Sequence, residues 1–176
     1  MGAAVEMYFD AEADARVRAL WRILATAASS HLEGMGSHPH VSLAVFDDLD
    51  RSRALSALSR FAESCGPLTV SFRGVGTFDR PERVIFLALT ADEELAAVHA
   101  ELHAFLRSMR LVSSPLYLPG RWIPHCTLAQ HVPADLFDVA VAAARGAFQE
   151  FDANLSEIGL VEYAPVRTLW RRRLTA

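Results

Sequence analysis

Two short apolar segments of the chain, 85 residues apart, carry the same pair of polar side chains. The first contains His40-Val41-Ser42 within SHPHVSLAVF, and the second contains His125-Cys126-Thr127 within RWIPHCTLAQ. In each segment Pro precedes the histidine and Leu follows the hydroxyl residue. Because side chains alternate along a β-strand, the histidine and the hydroxyl residue lie on one face and the middle residue on the other. We therefore predict two strands of one design, each with a polar and an apolar face.

The predicted secondary structure repeats with the same offset. Apolar periodicity predicts strand, helix, strand, helix and strand in each half, followed by a last strand. The predicted strands are 3–10, 38–46, 68–78, 83–90, 122–130, 153–163 and 166–174, and the predicted helices are 12–32, 51–65, 91–109 and 133–151. Asp10 is predicted to cap the first helix, and two glycines in 68–78 predict a β-bulge.

This repeat predicts a single α+β domain over 1–176, duplicated into two lobes that a pseudo-two-fold axis relates. Lobe one covers approximately 1–80 and lobe two approximately 81–176. Hydrophobic residues make up 52% of the 176 residues, which excludes a disordered chain. All 17 basic residues are arginine and the formal net charge is -4. This acidic net charge argues against a broad, sequence-independent nucleic-acid binder. A small or end-recognised anionic substrate is still compatible with it.

The two cysteines, Cys65 and Cys126, are too few for a zinc cluster or a disulfide framework, so we expect reduced thiols in the core. No apolar run approaches the roughly 18 residues of a membrane-spanning helix. The first ten residues, MGAAVEMYFD, lack the basic region and the apolar stretch of a signal peptide. A cytoplasmic protein without a membrane partner is expected.

The doubled motif suits the chemistry of a phosphodiester. Cleavage needs one group that takes a proton from the attacking oxygen and another that gives a proton to the leaving oxygen. Histidine titrates near neutral pH, so His40 and His125 can hold opposite protonation states. Hydroxyls beside the imidazoles, on Ser42 and Thr127, can donate to the phosphate oxygens without a metal. The alternative is that both histidines belong to an ordinary polar sheet face.

The chain resembles the 2H phosphoesterase superfamily, which includes bacterial 2′,5′ RNA ligase-like (LigT-like) proteins and cyclic phosphodiesterases. The resemblance lies in HPHVSL at 38–43, RWIPHCTL at 121–128 and GVGTFDRPERVIFLAL at 74–89, and it extends over essentially the whole chain. It implies a bilobal fold in which two mainly antiparallel sheets face each other across a central groove, with helices outside and closing strands exchanged between the lobes. It also implies catalysis without a metal or another cofactor.

The resemblance implies that His40 and His125 are the acid and the base and that Ser42 and Thr127 hold the phosphate. We favour His125 as the group that activates water and His40 as the group that protonates the leaving oxygen. The implied activity is a phosphodiesterase, or a reversible 2′-5′ RNA ligase, acting on 2′,3′-cyclic phosphate or 2′-5′ linked nucleotide or RNA ends. The alternative is a non-catalytic binder of the same ligands. We expect a monomer without an obligate protein partner.

Three further side chains are candidates for substrate binding. Arg121 shares strand parity with His125 and is expected to pair with a phosphate, unless it is a solvated strand end. Tyr8 can stack a base, and Phe46 continues the face of His40 as a stacking wall. The alternative for both aromatic residues is simple packing. Loops 34–37 and 113–120 are expected to set specificity.

Other polar clusters are given structural interpretations. His38 is expected at the mouth of the groove. His99 and His103, one turn apart, are expected on a solvated helix face and not in a metal site. The run Arg171–Arg173 is expected to be a charged edge strand, with RNA contact as the alternative. Phe72 and Trp122 are assigned to the core.

Overall fold

The computed structural model describes residues 2–30, 32–78, 82–90, 93–163 and 165–175. Within them the strands are β1 (Ala3–Phe9), β2 (His40–Phe46), β3 (Leu68–Phe78), β4 (Val84–Leu89), β5 (His125–Ala129), β6 (Phe151–Glu162) and β7 (Arg167–Arg173). The α-helices are α1 (Ala11–Ala27), α2 (Arg51–Ser64), α3 (Glu93–Ser108) and α4 (Phe137–Ala147), and 3-10 helices cover Glu33–Met35 and Pro115–Tyr117. The predicted α+β class is therefore confirmed.

All seven described strands belong to one antiparallel sheet with the order β2-β1-β6-β3-β4-β5, and β7 also pairs with β6. The prediction of two separate facing sheets is wrong, because Leu68–Phe72 pair with Phe151–Leu155 and join the two halves. β6 also pairs with β1, and β3 also pairs with β4, so each of these strands bridges elements from both halves of the chain. The duplication and the lobe boundary stay predictions, since residues 79–81 lie outside the described part.

A β-bulge follows each of the two histidine motifs. Between β1 and β2, Glu6 is opposite Ser42 and Val5 is opposite Ala44, so Leu43 is an extra residue. Between β4 and β5 the same shift makes Leu128 the extra residue. An extra residue reverses the alternation of the side chains that come after it. The faces predicted for residues beyond each bulge are therefore inverted. The bulge predicted in β3 is also present, between Phe72 and Gly74.

α1 and α2 begin close to their predicted starts, whereas α4 begins at Phe137 and not at residue 133, and α1 and α4 also end earlier than predicted. The Asp10 side chain accepts a 3.0 Å hydrogen bond from the Ala13 amide, so Asp10 caps α1 as predicted. α1 ends at Ala27 and not at residue 32, because Ser29 adopts a positive φ of 50° that leaves the helical region. α1 packs against α4, and α2 packs against α3.

The core runs along the apolar face of the sheet. Its largest fully buried side chains include Phe46, Phe61, Phe72 and Met7. Cys65 and Cys126 are both free and buried, as expected, and burial raises the pKa of the Cys126 thiol to about 12. Among the described residues, no helix has the length and apolarity needed to cross a membrane.

Candidate active site

The structure brings the four motif side chains into one groove. His40 and Ser42 lie on β2, and His125 and Thr127 lie on β5, at the two ends of the sheet order. These end strands contact each other, so the sheet is strongly curved. All four side chains line a groove of about 270 Å³. Two segments 85 residues apart in the chain thus present their polar faces to the same space.

Both imidazoles are anchored in the same way. The Nδ1–H of His40 donates to the backbone carbonyl of His38 at 2.6 Å. The Nδ1–H of His125 donates to the backbone carbonyl of Ile123 at 2.7 Å. A carbonyl can only accept, so each Nδ1 carries a proton and each Nε2 is the nitrogen available for proton exchange. Both histidines therefore have the tautomer that acid–base chemistry at Nε2 requires.

A carboxylate stands beside one of the two imidazoles. Glu6 Oε1 lies 3.4 Å from His40 Nε2, and Glu6 Oε2 accepts a 2.9 Å hydrogen bond from the Tyr8 hydroxyl. Glu6 is only 8% exposed. Burial, followed by the charge of Glu6, raises the pKa of Tyr8, which keeps the hydroxyl protonated as a donor to the carboxylate. A protonated His40 thus has an ion-pair partner in Glu6, whose carboxylate is held by the hydrogen bond from Tyr8.

Aromatic rings stand beside the other imidazole. The rings of Phe78 and Phe86 lie 5.1 Å and 5.2 Å from the ring of His125. Gly76 permits the close approach of Phe86, since a Cβ there would lie 2.5 Å from that ring. Burial lowers the pKa of His125, and a charge on His40 lowers it further, while the hydrogen bond to Ile123 opposes both effects. His125 therefore favours the neutral form.

The different surroundings of His40 and His125 arise at one pair of corresponding positions. Glu6 is opposite Ser42 in the first motif, and Phe86 is opposite Thr127 in the second. Each stands one residue from the register shift that marks the bulge. One half of the groove therefore has a carboxylate where the other has a phenyl ring.

Two tryptophans donate hydrogen bonds to backbone carbonyls of the two motifs. The Nε1–H of Trp122, just before β5, donates to the carbonyl of Ser42 at 3.0 Å. The Nε1–H of Trp21, on α1, donates to the carbonyl of Thr127 at 3.0 Å. β2 and β5 are the end strands of the sheet, so these carbonyls lack a strand partner on that side. Each indole thus satisfies an edge carbonyl at a phosphate-binding candidate, and Trp122 also packs, partly buried, against the core to which it was assigned.

The bulge at Leu43 is held by buried histidines. His99 Nε2 lies 3.0 Å and His103 Nε2 3.2 Å from the Leu43 carbonyl. Both histidines are 2% exposed, so the prediction of a solvated helix face is wrong. They are buried because α3 places them against β2, where both reach the Leu43 carbonyl that the bulge leaves in need of donors. Burial and the neighbouring His103 lower the pKa of His99 to about 4, and burial lowers that of His103.

The other predicted site residues have different places. Tyr8 and His38 line the groove, and His38 is exposed at its edge as expected. Phe46 is 2% exposed in the core and not on the face of His40, because the bulge at Leu43 turns Val45 into the groove instead. Arg121 is exposed and is not among the residues that line the groove. It precedes β5, which begins only at His125, so the strand parity expected of it is absent.

Several groove residues were not assigned a role from the sequence. They include Glu6, Trp21, Val45, Gln130 and Tyr163, whereas the lining residue Tyr117 belongs to the loop 113–120 that was expected to set specificity. Glu6 had a signal, since it is a single charge inside the apolar strand AAVEMYF. Val45 and Gln130 come after the two bulges, which reverse the faces predicted for them. Neither bulge could be predicted, because a Leu inside an apolar strand is an ordinary strand residue. In the part of the chain that the structure describes, no group of three or more His, Cys, Asp or Glu side chains is arranged to hold a metal ion.

Sequence comparison identifies a family and one curated relative. The sequence model of the 2′-5′ RNA ligase superfamily matches residues 9–167. A Bacillus pumilus (strain SAFR-032) protein named "Putative phosphoesterase" is 27% identical over 100 residues, which are 55% of this chain and 54% of that protein. The match thus spans about half the length of this curated relative.

Solved structures share the fold over nearly the full chain. E. coli LigT, in a crystal structure complexed with 3′-AMP, has a TM-score of 0.65 at 17% identity, covering 99% of this chain and 98% of LigT. The Thermus thermophilus protein TT0787 has a TM-score of 0.66 at 16% identity, covering 99% of this chain and 98% of TT0787. At such identities the similarity establishes the fold alone.

Proposed function

Because the chain belongs to the 2′-5′ RNA ligase superfamily, we propose that it is a metal-independent phosphodiesterase acting on 2′,3′-cyclic phosphate or 2′-5′ linked nucleotide or RNA ends. The observation that carries the proposal is the pair of imidazoles, each anchored through Nδ1 to the carbonyl two residues before it, in one groove with two hydroxyls. Two imidazoles that are anchored through Nδ1 and present Nε2 for proton exchange match the needs of an acid and a base acting on one phosphate.

The surroundings of the two histidines support different roles. Burial against Phe78 and Phe86 lowers the pKa of His125, which suits a neutral general base. The carboxylate of Glu6 lies 3.4 Å from His40 Nε2, which suits a protonated general acid. We therefore assign His125 as the base and His40 as the acid for hydrolysis, and the reverse for ligation.

In the proposed hydrolysis, water attacks the phosphorus atom while His125 Nε2 takes one of its protons. A bond forms between phosphorus and the water oxygen, and the bond between phosphorus and one ribose oxygen breaks. His40 Nε2–H donates its proton to that ribose oxygen, which leaves as a hydroxyl. The product is a phosphomonoester, and solvent exchange returns both imidazoles to their starting protonation states.

The hydroxyls supply donors where negative charge develops. Ser42 and Thr127 share the groove with the imidazoles, and no arginine is among its described lining residues. Hydroxyl donors held in a partly desolvated site stabilise the charged transition state. A volume of about 270 Å³ is close to the lower limit of typical ligand pockets, roughly 300 Å³. The groove therefore suits one nucleotide end.

The decisive experiment measures turnover of 2′,3′-cyclic nucleotides and 2′-5′ linked dinucleotides in the presence of EDTA. The wild-type protein is expected to form product, and His40→Ala and His125→Ala are each expected to lose about 10²–10⁴-fold in kcat. His131→Asn is the matched control, because His131 is exposed, is not a groove-lining residue and has a positive φ that Asn tolerates.

Two results would contradict the proposal. Turnover that survives either alanine substitution would exclude the two-histidine mechanism. Binding of a cyclic nucleotide by the wild-type protein without product under any condition would favour the non-catalytic binder instead.

A further inference from the structure

The floor of the groove continues onto β7 and carries an arginine there. The residues in register across β2, β1, β6 and β7 are Ser42, Glu6, Gly159 and Arg171. The guanidinium of Arg171 lies over the ring of Tyr8, 4.0 Å from its centroid. Tyr8 lines the groove, so Arg171 is on the groove side of β7.

The contacts of Arg171 hold it in place. Tyr8 lies against Gly159, where a Cβ would be 2.8 Å from the ring. Arg171 also forms an ion pair with Glu157. Burial lowers the pKa of the neighbouring His38, and the charge of Arg171 lowers it further. Arg171 is thus held close to the candidate active site by its stacking and its ion pair.

A second arginine lies on the same face, one row further along. His40 is opposite Tyr8, Tyr8 is opposite Glu157, and Glu157 is opposite Arg173. Alternation puts Arg173 on the face of Arg171, since the register between them has no shift. Three strand spacings separate Arg173 from His40, which is about 14 Å between backbones.

The charge of Arg173 is available to a ligand. Arg173 is exposed and has no salt-bridge partner among the described residues. Its opposite neighbour Glu157 is already paired with Arg171. Arg172, between them, points to the other face, where it contacts the Ser59 carbonyl and Glu63 on α2. The three consecutive arginines therefore divide into two on the groove side and one on the helix side.

We propose that Arg171 and Arg173 form a phosphate-binding extension of the groove, which binds the backbone of single-stranded RNA next to the reacting end. This inference rests on the proposed function and specifies its substrate as an oligonucleotide. The groove itself holds one nucleotide end and has no arginine among its described lining residues. Guanidinium groups match phosphate oxygens in charge and in geometry. An RNA strand leaving the groove along this face meets Arg173, whose charge has no ion-pair partner in the described part of the chain.

The test compares a 2′,3′-cyclic mononucleotide with a short oligoribonucleotide that ends in a 2′,3′-cyclic phosphate. For Arg173→Gln, the ratio of the oligonucleotide KM to the mononucleotide KM is expected to rise about threefold to tenfold at low salt, because one exposed charge–phosphate contact is lost. The slope of log affinity against log salt for the oligonucleotide is expected to become shallower by about 0.7. Arg172→Gln is the matched control and is expected to change neither quantity.

Direct binding separates the failure of this inference from the failure of the proposed function. Fluorescence anisotropy with the labelled oligonucleotide reports affinity whether or not the protein turns it over. If the wild-type protein makes no product but Arg173→Gln still weakens oligonucleotide binding selectively, the phosphate-binding extension is supported and the proposed phosphodiesterase activity is contradicted. Equal binding and an unchanged salt slope in Arg173→Gln and Arg172→Gln would overturn the extension.

Discussion

The indole Nε1–H of Trp122 donates a 3.0 Å hydrogen bond to the backbone carbonyl of Ser42, so the segment just before β5 directly supports the first motif. Trp122 also stacks on His99 with 3.9 Å between ring centroids and 7° between planes. His99 in turn contacts the carbonyl of Leu43. The two consecutive carbonyls of Ser42 and Leu43 are thus bonded by side chains from the second half of the chain.

Trp122→Phe is expected to lower kcat about tenfold with a smaller effect on KM. Phenylalanine keeps an aromatic ring but removes the N–H donor, and a small displacement of a phosphate-binding group is enough to slow the reaction. Steady-state kinetics on a 2′,3′-cyclic nucleotide measures the effect. Trp170→Phe on β7 is the control, because Trp170 does not line the groove. An equal loss in both variants would assign the effect to general destabilisation.

The acid limb of the pH profile is expected to have its midpoint below pH 6.5. Burial lowers the pKa of His125 from its ordinary value of 6.5, so the base stays neutral to lower pH and activity is lost only as pH falls through the lowered pKa. The measurement is kcat/KM against pH, which reports on the free enzyme. Phe78→Ala opens the imidazole to water and is expected to move the midpoint back towards 6.5. A wild-type midpoint above 6.5 would contradict the assignment of His125 as the base.

Removal of either groove hydroxyl is expected to slow catalysis without unfolding the protein. Ser42→Ala and Thr127→Val each remove one donor to the phosphate and are expected to lower kcat by about 10²–10³-fold. Ser71→Ala is the comparison, since Ser71 bonds Asp152 on an exposed part of β3 outside the groove. Unchanged kcat in both groove variants would show that the hydroxyls do not contact the transition state.

Acid is expected to destabilise the fold through His99. Its pKa is about 4 in the folded protein and 6.5 in the unfolded chain. The unfolded state therefore binds more protons as pH falls from 6.5 towards 4, and stability is lost in that window. His99 alone is expected to lower the free energy of unfolding by about 2 kcal/mol between pH 7 and pH 5.

Urea unfolding at the two pH values measures this loss. His99→Gln is expected to reduce the pH dependence, whatever its effect on stability at pH 7, and His131→Asn is expected to keep it. A pH dependence that is the same in His99→Gln and in the wild type would rule out the buried histidine as its source.

Gly159→Ala is expected to destabilise the fold and to move Tyr8. The new Cβ would lie 2.8 Å from the Tyr8 ring and 3.0 Å from the Trp170 carbonyl. Overpacking of this kind costs roughly 1–3 kcal/mol. Gly146→Ala in α4 is the control, because its Cβ would meet nothing within 4 Å and alanine favours the helix. Thermal unfolding measures the effect. Gly159→Ala is expected to lower Tm, and Gly146→Ala is not.

Local patterns predicted the elements well and their ends less well. Short apolar, aromatic and β-branched runs located all seven described strands, and β3 has the predicted bounds, Leu68–Phe78. The ends of α1 and α4 were placed too far out, because residues beyond a helix can continue its apolar spacing without its backbone conformation. Phe46 was assigned to the wrong face because a bulge at a leucine leaves no local mark in the sequence.

The order of residues is enough to establish that His40 shares a strand face with Ser42, and His125 with Thr127, because that relation depends only on the two-residue period of a strand. Only folding reveals that the two strands face one groove, that the sheet is continuous, and that His40 has a carboxylate neighbour while His125 has phenyl rings. Those relations join residues far apart in the chain. They depend on strand pairing and on the curvature of the sheet, which no local pattern encodes.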